Sequence, residues 1–370
     1  MTLPQLEIQL VAVVVAVACA LPGSFLMLRR MAMMSDAISH AILPGIVIGV
    51  FVVGGLNSPL LLVFAAGTGL LTVALIEALQ DTGQVKEDAA IGIVFPVLFS
   101  LGVLLIARFA GDMHLDTDVV LLGELAFAPF NRVTAFGLDL GPQALWMMSG
   151  VLVLNALALL LFYKELKLAT FDPGLAASLG FRPRRLHYGL MGLVSLTAVA
   201  AFDAVGAILV VALMVGPPMT AYLLTDRLAV LIGLSAGLGA LGAVGGYWVA
   251  HGLDVSIAGS IATTIGCVFG LTLVAAPQRG LLAQWRRHRR QKWRFAEEML
   301  VLHLRQHENT PEADRECRVD HLQEHLNWTP DVAERVVTRA VRHGTVRRAD
   351  GRLYLTDDGR AVAQAAATRT

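Results

Sequence analysis

The sequence predicts an all-α polytopic membrane protein with a small α+β domain at its C-terminal end. Three observations predict it. Of 370 residues, 56% are hydrophobic and only 16% charged, with a mean hydropathy of +0.65, too apolar for a soluble chain of this length. Apolar runs of about 20 residues, enough to cross ~30 Å of hydrocarbon, recur along residues 1–278. Charge is segregated as well: residues 279–370 hold 18 of the 29 Lys and Arg and 13 of the 29 Asp and Glu. The expected domains are therefore a membrane domain over 1–278, a basic juxtamembrane linker over 279–292 and a small domain over 293–370. Cys19, Cys267 and Cys317 lie far apart, which indicates neither a disulfide framework nor a Cys-based metal site.

Taken in order, the spans fall near 8–28, 32–54, 60–79, 91–109, 144–163, 187–203, 205–224, 228–250 and 257–276, nine in all, or eight if the sixth and seventh merge. The first follows an uncharged Thr2-Leu3-Pro4-Gln5 and Glu7, unlike the basic start of a cleavable signal peptide, so it reads as retained. Arg29 and Arg30 follow the first span, Lys86 the third, Lys164, Lys167, Arg182, Arg184 and Arg185 the fifth, and Arg227 the seventh. With nine alternating spans these cations share one side, which the positive-inside rule makes cytoplasmic; the N-terminus is then outside and the tail inside. Gly233, Gly237, Gly239, Gly242, Gly245 and Gly246 suit close helix packing in the eighth span. Gly216-Pro217-Pro218 predicts a broken or shortened seventh span, a candidate pathway wall.

Ser35-Asp36-Ala37-Ile38-Ser39-His40-Ala41-Ile42-Leu43-Pro44-Gly45 places a carboxylate and an imidazole in the apolar second span. Residues four apart share a helix face, so Asp36 and His40 can offer oxygen and nitrogen to one cation, a donor set that suits Mn, Fe(II) or Zn better than Ca or Mg. Pro44 and Gly45 predict a bend that frees backbone carbonyls beside the pair. In the competing reading, Ser35 and Asp36 cap a helix start and His40 bonds a neighbouring helix. Two ligands do not fill a shell; Glu77, Asp203, His251 and Asp254 are the few other membrane-domain candidates, each also suited to helix-end solvation.

Two connections are long. The outer one, 110–143, sets Asp112, His114, Asp116, Asp118, Glu124 and Asp139 against Arg132, either an acidic mouth that concentrates cations or an ordinary solvated loop. In the inner one, 164–187, Asp172 caps a short helix that starts at Pro173 and ends at Gly180, and the exit through Arg182, Arg184 and Arg185 suits docking on a cytoplasmic partner.

Beyond a basic collar at 286–292, amphipathic helices are expected at 293–308, 319–326 and 330–343, the last capped by Thr329 and stopped at Gly344. Val346 to Leu355 alternates around Asp350-Gly351, a hairpin signal, and Thr356 caps a final helix. This order describes a winged helix. Arg347, Arg348 and Arg352 on its wing suit phosphate contacts, although a membrane tether limits access to DNA, so nucleic acid is an unfavoured partner. His303, His307, His321, His325 and His343 could sense metal or simply lie on the surface.

Only four lysines are present, Lys86, Lys164, Lys167 and Lys292, and none stands in a Gly-Lys-Ser/Thr phosphate loop, so the chain does not hydrolyse ATP by that route. Leu28-Arg29-Arg30-Met31 with Ser35 to Gly45, Leu115 to Glu124, and Val205 to Pro217 resemble the membrane permease subunits of ABC importers for manganese, zinc and iron, the metal ABC-3 family. The resemblance implies a transport subunit without a permanent cofactor, working by alternating access. It makes Asp36 and His40 the metal-pathway residues, and it makes the loop holding Asp172, Gly180, Arg182, Arg184 and Arg185 the ATPase-coupling loop. It implies as partners cytoplasmic ATP-binding subunits, a second permease subunit and an extracytoplasmic metal-binding protein. Residues 293–370 depart from that pattern and resemble, particularly at Leu353 to Arg360, the winged-helix part of diphtheria-toxin-repressor-type metal-dependent repressors. The alternatives are a gradient-driven metal transporter or channel, using intramembrane acids as proton relays, and a membrane-tethered metal-responsive regulator.

Overall fold

The computed structural model describes residues 2–53, 60–109, 125–135 and 138–367. The chain divides into two compact units, Met1–Gly280 and Leu281–Thr370. In the first, the helices are α1 (Leu3–Leu28), α2 (Ala32–Ala41), α3 (Leu43–Val53), α4 (Leu60–Asp81), α5 (Glu87–Phe109), α6 (Gln143–Leu161), α7 (Tyr163–Phe171), α8 (Pro173–Ser178), α9 (Pro183–Val205), α10 (Ala207–Leu224), α11 (Leu228–Leu253) and α12 (Ile257–Ala275). Among the described residues, nine spans are long and apolar enough to cross a membrane, with α2 and α3 together forming the second. The sixth and seventh stay separate because Gly206 takes φ +79°, a conformation that costs glycine little, between α9 and α10.

α1 is the hub. It packs against α6, α9, α10 and α11, and its Val11, Val15, Ala16, Ala18, Cys19 and Ala20 are fully buried. Apolar burial alone gives little drive for helix association in lipid, so close approach and buried hydrogen bonds must specify the packing. Asn155 of α6 donates from Nδ2 to the Ala18 carbonyl at 3.1 Å and to Thr197 Oγ1 of α9 at 2.8 Å, tying three spans together. Ser195 of α9 donates to the Ala66 carbonyl of α4 at 3.0 Å. The predicted glycine packing holds for part of the stripe: Cβ atoms at Gly242 and Gly246 would meet Ile265 and Ile261 of α12 at 2.8 and 2.4 Å, whereas Gly233 and Gly237 face open space.

The seventh span meets one of its two expected forms. α10 is short, at 18 residues, and runs unbroken through Pro217 and Pro218. Two prolines leave the carbonyls of Leu213 and Met214 without their i+4 donors, and the surrounding helices hold the span straight. α1 exploits this gap: a Cβ on Gly23 would lie 2.1 Å from the Met214 carbonyl oxygen, so only glycine lets α1 and α10 come this close.

Between α5 and α6, where the sequence predicts only a long connection, lie a 3₁₀ turn (Leu125–Phe130) and a hairpin, β1 (Arg132–Ala135) with antiparallel β2 (Leu138–Pro142). Asp112, His114, Asp116, Asp118 and Glu124 of the expected acidic mouth lie outside the described residues. Asp139, its remaining member, is held by Arg132 at 2.5 Å.

The second unit contains α13 (Leu281–His307), α14 (Ala313–Glu316), α15 (Val319–His325), α16 (Pro330–Arg342), β3 (Val346–Ala349), β4 (Arg352–Leu355) and α17 (Asp357–Ala367). The basic collar lies within α13, which starts earlier than expected. Leu300, Val301, Leu304, Leu322, Val336, Val337, Val346 and Leu353 form its core. The β3–β4 turn places Asp350 at φ +51° and Gly351 at φ +76°, as a two-residue hairpin turn requires. Thr356 Oγ1 accepts from the Gly359 amide at 3.1 Å and caps α17, whereas the Thr329 side chain makes no cap bond to α16. The wing cations are committed within the unit: Arg348 pairs with Glu334 at 2.5 Å, Arg352 with Asp314, and Arg347 lies over the Tyr354 ring.

Gly23→Ala is expected to destabilise the membrane unit by about 1–3 kcal/mol through overpacking, seen as a lower thermal midpoint in detergent. Gly67→Ala, where nothing lies within 4 Å of the added Cβ, should leave it unchanged.

Candidate functional site

The second span is interrupted two residues before Pro44. α2 ends at Ala41, Ile42 forms a turn and α3 starts at Leu43. Pro44 has no amide hydrogen for the His40 carbonyl, which is thereby left without its helical donor beside the His40 ring. Upstream, Arg30 at φ +64° closes the turn from α1 and α2 begins at Ala32, four residues before Asp36. This removes the capping alternative: Asp36 lies inside the helix, and the Ser35 and Ser39 hydroxyls donate to the Ala32 and Ser35 carbonyls at 2.9 and 2.8 Å.

Asp36 Oδ1 and His40 Nε2 stand 3.6 Å apart, with side chains 47% and 32% exposed. That separation is too long for a hydrogen bond. It matches donors that one ion could bridge, since ligand bonds of about 2.0–2.2 Å set neighbouring donors roughly 3 Å apart. The His40 ring rests against Phe95 of α5, centroids 5.5 Å apart, so the imidazole has an apolar backing and an open edge. A carboxylate this exposed within an apolar span costs about 2.5–3.5 kcal/mol if it faces lipid, so its open side requires a polar surrounding.

The remaining candidate ligands lie elsewhere. Glu77, near the end of α4, binds His187 of α9 at 2.5 Å, and Arg29 donates to His187 Nδ1 at 3.1 Å and to Thr170 Oγ1 of α7 at 3.2 Å. Arginine can only donate, so His187 accepts at Nδ1 and its Nε2–H faces Glu77. Burial lowers the pKa of the Arg29 guanidinium from its ordinary value. This chain of contacts joins the ends of the first, third and sixth spans to α7, so these termini share one end of the bundle, as the charge parity predicts. No local sequence signal announces it, because its members are far apart in the chain.

At the opposite end, Glu7 of α1 receives both Arg132 Nη atoms at 3.0 Å each. Glu7 and Asp139 raise the Arg132 pKa, and Arg132 holds the Asp139 carboxyl below the usual carboxylate range. His251 and Asp254 line a cavity of about 450 Å³ together with Tyr247 and the 205–209 junction, so they are brought together, though not with Asp36 or His40. Asp203 is exposed near the end of α9.

α8 forms as predicted. Asp172 Oδ1 accepts from the Leu175 amide at 2.8 Å, Pro173 opens the helix, and Gly180 at φ +87° ends the turn. The helix is anchored through buried Ala176 while Leu175, Leu179 and Phe181 are exposed. Arg182, Arg184 and Arg185 are also exposed at the start of α9. An apolar knob rimmed by cations, outside any span, is the form of a docking surface.

Residues 6–276 match the family model described as the ABC 3 transport family. The zinc transport system membrane protein TroD of Treponema pallidum is 47% identical over 360 residues, 97% of this chain and 98% of its own length, so the similarity runs through the second unit as well. The manganese transport system membrane protein MntD of Bacillus subtilis is 48% identical over 272 residues, 74% of this chain and 92% of its own. Among solved structures, PsaBC from Streptococcus pneumoniae in complex with Fab matches with a TM-score of 0.63 and 30% identity, covering 75% of this chain and 94% of the matched one.

Arg132→Ala strands the buried Glu7 carboxylate and is expected to cost about 1–3 kcal/mol. The thermal midpoint in detergent should fall, and Arg132→Lys, which lacks the two-pronged fork, should recover only part of it.

Proposed function

The chain belongs to the ABC 3 transport family, and on that premise we propose that it is the membrane permease subunit of an ATP-driven importer for a divalent transition metal, with Asp36 and His40 as the cation-handling pair of its pathway. The observation that carries the assignment is one half-buried carboxylate and one half-buried imidazole, 3.6 Å apart, on a span interrupted immediately beyond them. A carboxylate oxygen and an imidazole nitrogen are borderline donors, suited to Mn, Fe(II) or Zn. The named relatives carry zinc and manganese, which supports the same cargo class here.

The chain is a transport component rather than an enzyme. Hydrolysis falls to ATP-binding subunits, and the α8 knob with Asp172, Gly180, Arg182, Arg184 and Arg185 is the surface on which they seat. Arg29 contacts α7 directly, so movement of the α7–α8 segment reaches the α1–α2 turn, seven residues before Asp36. The polar cover that Asp36 needs is supplied by a second permease subunit, and metal is delivered by an extracytoplasmic binding protein. In this arrangement the α8 end is cytoplasmic, the first residue lies outside and Leu281–Thr370 is a cytoplasmic domain of the winged-helix, repressor-like type. Its wing arginines are already paired, which favours protein contacts over nucleic acid.

Asp36→Ala and His40→Ala should each reduce cellular uptake of radiolabelled zinc or manganese by at least about 10–100-fold while the protein still inserts. Wild-type uptake in both variants sinks the site assignment. Leu175→Glu with Leu179→Glu should abolish uptake and release the ATP-binding subunits on affinity purification; retained co-purification with full uptake contradicts the docking role.

A further inference from the structure

The five tail histidines separate once the second unit is folded. His343 pairs with Glu297 at 2.9 Å, and the side chain of His325 lies outside the described residues. The other three gather around one carboxylate. His303 and His307 are four residues apart on α13 and so share a face, their ring centroids 4.8 Å apart. Glu316, at the end of α14, reaches that face, and one ligand atom from each of His303, His307 and Glu316 lies within 4.8 Å of the others. His321 of α15 approaches Glu316 from another side, Nε2 to Oε2 at 2.9 Å.

We propose that His303, His307 and Glu316, with His321 beside them, form a binding site for a divalent transition-metal ion in the Leu281–Thr370 unit. The site is distinct from the Asp36–His40 pair, which is in the other unit, and does not depend on that pair binding metal.

Three features carry it. The first is donor chemistry. Two imidazoles and a carboxylate are the three-ligand set of open zinc-type sites, and nitrogen donors select against Ca and Mg. The second is ring orientation. His303 Nε2 lies 3.1 Å from the Glu316 backbone carbonyl, which can only accept, so Nε2 carries the proton and Nδ1 keeps the lone pair. A metal-bound histidine is typically held this way, donating its other nitrogen to a carbonyl or carboxylate. The third is spacing and access. Donors on one ion stand at most ~4.4 Å apart at ligand bonds of about 2.0–2.2 Å. The observed 4.8 Å therefore closes with small side-chain rotations. His303 is 6% and Glu316 8% exposed, so both are pre-organised in the unit's interior. His303 and His307 also border a cavity of about 650 Å³, shared with Met299, Leu302, Gln306 and Leu326, through which an ion can enter. Binding would clamp α13 to the α14–α15 segment, adding free energy to the folded unit in proportion to ln(1 + [metal]/Kd).

The test uses the full-length chain in detergent, dialysed separately against Zn²⁺ and Mn²⁺, with bound metal per chain measured by mass spectrometry. His303→Ala with His307→Ala should lose one equivalent of the preferred metal. The loss should be the same in wild type and in an Asp36→Ala, His40→Ala background, so failure of the pathway pair and failure of the tail site read out separately. His343→Ala should lose none. Glu316→Gln, which keeps the shape and the backbone carbonyl, covers the case in which the double variant misfolds and should also lose that equivalent. In wild type, saturating Zn²⁺ should shield His307, the partly exposed ligand, from carbethoxylation by diethyl pyrocarbonate while His343 still reacts. Unchanged stoichiometry in both tail variants, or no shielding, overturns the site and leaves a histidine–glutamate packing cluster.

Discussion

One missing amide hydrogen organises the second span. Pro44 cannot supply the hydrogen bond that the His40 carbonyl would accept, and the helix gives way at Ile42. In hydrocarbon an unsatisfied backbone group costs several kcal/mol, so the interruption persists only where protein or a polar pathway surrounds it. The Asp36 carboxylate obeys the same constraint one turn earlier. Both demands meet on one helix face, and α4, α5, α9 and α10 pack against α2 around it. The Pro217-Pro218 pair behaves differently: the helix stays whole, and α1 packs at Gly23 directly against the freed Met214 carbonyl.

Polar links at the two ends of the bundle hold α1 in place. At one end Arg132 forks onto Glu7; at the other Arg29 spans Thr170 and His187, with Glu77 beyond. Between them Asn155 binds α1 to α6 and α9. Because apolar burial does not drive association within lipid, these bonds and the glycine contacts specify the arrangement. Arg29 also joins the α7–α8 segment to the turn before α2, so the element proposed to meet an ATPase and the element proposed to meet the metal share one rigid link.

Hydropathy made the nine spans legible, and the ends of the first, third and sixth spans meet at one end of the bundle, as cation parity requires. The Asp36–His40 pair was legible as polar residues in an apolar run. Spacing alone could not separate it from a helix cap; the start of α2 at Ala32 does. The tail hairpin was announced by Asp350-Gly351, whose positive φ angles any two-residue turn of that kind needs. The seventh span is short as expected but not broken, because proline acts locally while the packing that keeps α10 whole comes from α1, α11 and α12. The Arg29–His187–Glu77 chain and the gathering of His303, His307, His321 and Glu316 were not legible. Both depend on residues from separate helices, and no spacing rule connects them.

The most direct test is X-ray absorption at the edge of the bound metal, on the full chain loaded with Zn²⁺ or Mn²⁺ in a His303→Ala, His307→Ala background. The account predicts a nitrogen- and oxygen-only shell at about 2.0–2.2 Å with an imidazole scattering signature that disappears on His40→Ala. A shell without imidazole, or one that His40→Ala leaves unchanged, contradicts it.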